Sequence, residues 1–343
     1  MRSQSQRLFL TSLSVLAALA IPSVDAQNPT PGRAPAAAPR AATYKAPRTP
    51  WGDPDLQGLW PGNMGVPLQR PVEFGDRTTL TDAEFARREA QAKTQAEADA
   101  QQFVTPGTPV GLGPPSHWTE RGTPTRQASL IIHPENGRLP ALTPEAEKRR
   151  REMILPGEWR GQADSYTDMN IYYRCITRGL LGSIIPVVYG NGNEIVQGPG
   201  YVMLRQEMIH ESRVIPLDGS PHVSPNIRMY MGDSRGHWEG DTLVVETTNF
   251  TDKVAIGSNG AGYPGDPGYH TEALRVVERF TRTSQKTLQY EATVNDPKTW
   301  TMPWTISMPL VNDPRYELYE YACHEGNHAM SNILSGARAA EAK

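Results

Sequence analysis

From residue 184 onward, apolar and polar positions alternate in short runs, the period of a strand buried on one face. The runs cover 194–197, 201–209, 212–217, 227–231, 235–239, 242–248, 272–283, 287–295, 302–311 and 317–323. Turn formers separate them: Gly198-Pro199-Gly200, Asp218-Gly219, Gly240-Asp241 and Ser284-Gln285. Strands joined at such intervals predict a mainly β fold over 184–343, an antiparallel up-and-down β-barrel or strongly curled sheet. Before it, over 51–183, the pattern is irregular, and we read an N-terminal wrap with two short surface helices. Thr81 and Glu84 form a capping box ahead of an Ala/Glu/Gln-rich helix reaching 102. Thr143 caps a second helix, with Pro144 at its first position, reaching 153. The two regions are expected to make one domain, 51–343.

The first 50 residues do not read as core. Arg2 and Arg7, an apolar run over 8–20 and Val24-Asp25-Ala26 have the order of a signal peptide, with cleavage expected after Ala26. Residue 27 is Gln rather than Cys, which argues against a lipid anchor. The Ala/Pro/Arg-rich stretch 27–50 predicts a flexible leader. The expected location is the periplasm or the medium. A net charge of −3 implies neither nucleic acid nor an anionic membrane as partner, and leaves a small molecule. In an exported chain the two cysteines, Cys175 and Cys323, are expected to pair. That bond would bring Tyr172-Tyr173-Arg174 to His324-Glu325.

Candidate chemistry concentrates in the hairpin around Gly240-Asp241. Asp233, Arg235, His237 and Glu239 fall on alternate positions, so an extended chain puts them on one face. If that face points inward, it joins the cysteine-tethered group in one site. His237, His324, Asp233, Glu239 and Glu325 are then the acid–base set. Tyr172, Tyr173, Arg174, Arg235 and Trp238 are the substrate-binding set. The alternative is a salt-bridge ladder in water. His210-Glu211 and His222 read as solvated turn residues. The loop 250–270 is a lid or a simple insertion.

Three motifs match known patterns without their structural context. Gly232-Asp233-Ser234-Arg235-Gly236 fits G-x-S-x-G, but a hairpin follows where a nucleophile elbow needs a helix. His324-Glu325-Gly326-Asn327-His328 fits H-E-x-x-H, yet Gly326 and Asn327 are poor helix formers and no third ligand follows closely. Asn249-Phe250-Thr251 is a glycosylation sequon. We expect no bound metal. No P-loop or CxxCH motif is present, and no cofactor is expected.

Three blocks, 51–60, 232–250 and Tyr321-Ala-Cys-His-Glu-Gly-Asn327, together resemble a group of exported bacterial proteins. That group is known from acidobacteria and proteobacteria, mostly as hypothetical proteins. The resemblance implies a Gram-negative exported protein and no particular activity. The expected barrel is similar to lipocalins at the level of fold alone. Tyr and Trp outnumber Phe by 20 to 6, and rings with a polar handle suit a hydroxylated aromatic or sugar-derived ligand. The expectation is a cofactor-independent lyase, isomerase or hydrolase. The alternatives are a periplasmic carrier without catalysis and a zinc hydrolase built on His324 and His328.

Overall fold

The computed structural model describes residues 44–62, 65–99, 118–152, 163–169, 171–256 and 267–342. The expected signal peptide and the leader up to residue 43 lie outside the described residues. Ordered packing begins ahead of the predicted start at Trp51. Ala46 and Thr49 are buried, and Arg48 bridges to Pro54. Residues 42–343 make one compact unit. No helix among the described residues is long and apolar enough to cross a membrane.

The fold is mainly β, with three α-helices among the described residues. One antiparallel sheet has the order β1-β3-β4-β5, from β1 (Gly58–Leu59), β3 (Asn193–Gly198), β4 (Tyr201–Gln206) and β5 (Ser212–Pro216). The larger sheet has the order β2-β12-β11-β10-β7-β6. Its strands are β2 (Ile131–His133), β6 (Asp233–Glu239), β7 (Thr242–Thr248), β10 (Arg275–Arg282), β11 (Thr287–Asn295) and β12 (Trp304–Val311). β8 (Ala255–Ile256) and β9 (Gly268–Tyr269) pair apart and close the base of the 250–270 loop, whose residues 257–266 lie outside the described set.

The period-2 pattern explains the core. Leu288, Tyr290, Ala292 and Val294 of β11 are fully buried, while the residues between them are partly exposed. β12 buries Trp304, Ile306, Met308 and Leu310 in the same way, and β4 buries Val202 and Leu204. One continuous apolar cluster draws on both sheets. Each large side chain in it contributes about 1.5–3 kcal/mol by leaving water.

Neither sheet closes into the predicted barrel. Two expected strands are missing, and each has a local cause. The stretch 227–231 is a loop because the Asn249 side chain donates to the Val223, Ser224 and Ile227 carbonyls. Those bonds replace a strand ladder. The stretch 317–323 is an extended strap pinned through side chains and a disulfide. The first two helices appear as α1 (Asp82–Asp99) and α2 (Pro144–Glu152), with the predicted Thr81–Glu84 and Thr143 caps in place. The third, α3 (Ala329–Glu341), occupies what reads as an Ala-rich tail. Its Met330, Ile333, Leu334 and Ala337 pack on Ala163 and Met169.

Between the sheets lies a buried ion pair. Arg213 of β5 donates twice to Glu278 of β10, at 2.5 and 2.9 Å, and the Tyr290 hydroxyl donates to the same carboxylate at 3.0 Å. Arg213 also donates to Ser234. The pair fixes β5 against the larger sheet, and therefore fixes the turn that precedes β5.

Candidate functional site

That turn, residues 207–211, joins β4 to β5. Ile209 and His210 both hold positive φ, 61° and 42°. A β-branched residue there is strained, and such strain persists only where surroundings enforce it. The surroundings are the segment 172–191 and the strap 313–327. Cys175, itself at φ 57°, is bonded to Cys323 with Cα atoms 5.6 Å apart, as the even cysteine count predicts.

Side chains lock the strap down. Glu207 accepts from the Tyr316 hydroxyl at 2.5 Å and from the Tyr319 amide at 3.3 Å. Glu120 accepts from the amides of Gly190 and Asn191 and from Tyr316. Both carboxylates are thereby occupied in structure. The Tyr321 carbonyl meets His210 Nδ1 at 3.0 Å. A carbonyl only accepts, so Nδ1 carries the proton of the neutral ring and the lone pair sits on Nε2. His210 is exposed, which gives that lone pair access to solvent.

Three tyrosines pack against Met208 and Ile209, the two residues before this histidine. Tyr189 and Tyr321 stack at 6.2 Å with hydroxyls 3.4 Å apart, and Tyr172 points its hydroxyl at Met208 Sδ, 3.5 Å away. The contact between the Tyr189 and Tyr321 hydroxyls is long, and sulfur is a weak acceptor for Tyr172, so the group can turn a hydroxyl toward a stronger acceptor. Burial pushes the pKa values of Tyr172 and Tyr321 up, with the Tyr189 hydroxyl adding to the effect at Tyr321. Both stay protonated donors through the physiological range. The Arg178 guanidinium lies 5.2 Å from the Tyr172 ring centre and brings positive charge to the group. On the other side of the turn, burial raises the Glu211 carboxyl above its ordinary pKa, while Thr177 Oγ1, 2.6 and 2.8 Å from its two oxygens, opposes the shift.

The residues expected from sequence divide between two places. Tyr172 is in the tyrosine group, Tyr173 packs against it at 5.8 Å, and Arg174 stacks on Tyr166 at 5.1 Å. His324 and Glu325 sit on an exposed turn just after Cys323. His328 precedes α3, and Gly326 between the two histidines has φ 68°, so they do not share a helix face. Among the described residues, no group of three His, Cys, Asp or Glu is arranged to hold a metal.

The row 233–239 lies on the face of β6 turned away from the core. His237 and Glu239 are exposed and pair with each other at 3.3 Å, and Glu239 also binds Arg279. Asp233 is buried beneath the 217–232 loop. It binds Arg235 at 2.8 Å and His222 Nδ1 at 2.9 Å. Trp238 points the other way, against the main core. No hydrogen bond or ion pair of the described residues joins this row to the cysteine-tethered group. Ser234 is buried and bonded to Thr247 and Arg213, without the helix of a nucleophile elbow. Asn249 of the sequon is buried, with its amide committed to the 223–227 loop.

Arg178 and Tyr189 were not singled out by sequence reasoning, in which His210-Glu211 reads as a solvated turn. Spacing gives no signal for them: a run over 201–209 and a strand from 212 leave His210-Glu211 as an ordinary two-residue turn. Compared with protein-family models, with curated proteins and with solved structures, the chain has no match.

Proposed function

We propose that this is an exported acid–base enzyme, a lyase, isomerase or hydrolase, acting through its own side chains on a small hydroxylated ring compound. The reading also places it with the exported bacterial group that its motifs resemble. The observation that carries it is the His210 Nδ1 contact with the Tyr321 carbonyl, which leaves Nε2 as the accepting nitrogen at a turn packed against three tyrosines. His210 Nε2 takes a proton from a carbon or hydroxyl of the substrate. Tyr172 and Tyr321 donate to the oxygen on which negative charge grows, and Arg178 stabilises that charge. The proton on Nε2 then returns to the product or to the leaving group. The disulfide supports the reading because it holds Tyr321, and through it His210, in place. The cystine and the absence of a membrane-length helix among the described residues are compatible with export.

The test is proton NMR in deuterated buffer with a panel of neutral sugars and phenols. The wild-type protein should convert at least one compound or wash deuterium into it. His210→Ala should slow that reaction about a hundredfold or more, with an unchanged circular dichroism spectrum. A panel left untouched, or a variant as fast as wild type, contradicts the proposal.

A further inference from the structure

Beneath the turn, on the inner face of the smaller sheet, a second set of polar groups surrounds Glu211. The Gln206 amide nitrogen donates to the Glu211 carbonyl, so these two residues stand opposite each other across β4 and β5. Their side chains share a face, and Arg213, two residues further along, shares it too. Ser183 and Thr177 approach from the segment over that face. Gln206, Ser183, Arg213 and Thr177 are all more than nine-tenths buried. Glu211 is partly exposed and is the member of the set that reaches the surface.

Three of these side chains each carry a buried polar atom with no hydrogen-bond partner: Gln206 Oε1, Ser183 Oγ and Arg213 Nε. The Ser183 hydroxyl is near enough to Glu211 to lower its pKa, yet falls short of a hydrogen bond with good geometry. A buried polar atom without a partner is costly, and three on neighbouring side chains call for a common explanation. Their chemistry is mixed. Gln206 Oε1 accepts, Arg213 Nε donates, and Ser183 Oγ does either. A hydroxyl group satisfies such a set because it both donates and accepts. The Glu211 carboxylate repels an anion, and the unpartnered Arg213 Nε–H needs an acceptor that an ammonium cation lacks, which leaves a neutral ligand. A simple phenol such as catechol offers one or two hydroxyls in the plane of a flat ring. A sugar offers several, spread along its edge.

We infer that Gln206, Ser183 and Arg213 read the hydroxyl groups of the ligand, and that the compound bound is a neutral sugar or sugar derivative rather than a phenol. The inference rests on the acid–base reading of the same turn.

Titration calorimetry on the intact, oxidised protein tests it, with a panel of neutral aldoses, their deoxy analogues, and catechol as the phenol. At least one aldose should bind saturably and more tightly than catechol. Ser183→Ala and Gln206→Met should each weaken that aldose roughly tenfold or more. On the wild-type protein, at least one deoxy analogue should lose a similar factor. Failure of every aldose to bind overturns the inference. Equal affinity for wild type and both variants does so too, since water alone then satisfies the three atoms. Should the variants not fold, the deoxy series on wild type decides, and uniform affinity across it is the contrary result. The two readings separate through His210→Ala. If that variant keeps turnover while aldose binding still depends on Ser183, the acid–base assignment fails and the hydroxyl site stands. If it loses turnover on a phenol and no aldose binds, the reverse holds.

Discussion

Glu211 is pulled in two directions, raised in pKa by burial and lowered by the Thr177 hydroxyl, with burial ahead. A carboxyl whose folded pKa exceeds its unfolded one contributes stability that is present below the unfolded pKa and lost as pH rises through the folded value. Glu211→Gln should therefore flatten the fall in stability between acid and neutral pH in urea melts, and gain on wild type at neutral pH. An unchanged slope argues that the carboxyl is better solvated than its position suggests. The Arg213–Glu278 pair behaves differently, because both partners are fully buried. Glu278→Gln leaves a buried guanidinium without its counter-charge and should cost about 3–5 kcal/mol in urea unfolding. A loss under about 1 kcal/mol would contradict the pairing. Some of this detail was legible in the chain. The alternation of Asp233 and Arg235 predicted their shared face, and the two do pair. His222 as the other partner of Asp233 was not legible, since it comes from a loop whose path depends on Asn249. His210 was hidden further: its partner, the Tyr321 carbonyl, is 111 residues away. Nothing in an Ile-His dipeptide encodes positive φ.

At the scale of elements, period-2 alternation located the strands well wherever a neighbour was available to pair. The hairpin between β6 and β7 has the predicted two-residue loop, Gly240-Asp241, with Glu239 opposite Thr242. Gly240 has φ 64° with nothing within 4 Å of a built Cβ, so Gly240→Ala pays only for the left-handed backbone, about 1–2 kcal/mol. Gly232, at φ 67°, would put a Cβ 2.5 Å from the Thr248 carbonyl oxygen, so Gly232→Ala carries the same strain plus a backbone clash. The melting temperature should fall clearly further for Gly232→Ala. Equal losses would mean that the entry to β6 has room to relax. Alternation failed over 317–323 for a physical reason. Tyr319 and Tyr321 have the spacing of a strand, but the segment is held by carboxylates and a cystine instead of a ladder. Its pattern reports the seam it covers. Composition misled at α3, where the apolar stripe Met330, Ile333, Leu334 and Ala337 carries a helix through a stretch that looks like tail.

For the whole molecule, close turns predicted antiparallel connectivity correctly and closure incorrectly. Tight hairpins fix neighbours, whereas a barrel also needs its edge strands to pair, and β5 and β6, joined through the long 217–232 loop, lie close without a hydrogen-bonded ladder. The disulfide links positions 148 apart in sequence. Chain entropy puts its worth at about 5 kcal/mol at most, less any native strain. Cys175→Ser with Cys323→Ser should lower stability by about 2–5 kcal/mol, and should also release the strap and slow turnover. A fully active double variant would separate the strap from the chemistry. The most direct discrimination among the histidines is carbethoxylation with diethyl pyrocarbonate, followed residue by residue by mass spectrometry alongside loss of turnover. Activity should disappear in step with modification of His210, and bound substrate should protect that residue, while His237 and His324 react without effect. Activity that survives complete modification of His210, or that falls in step with His237 or His324, would contradict the placement of the site at the strained turn.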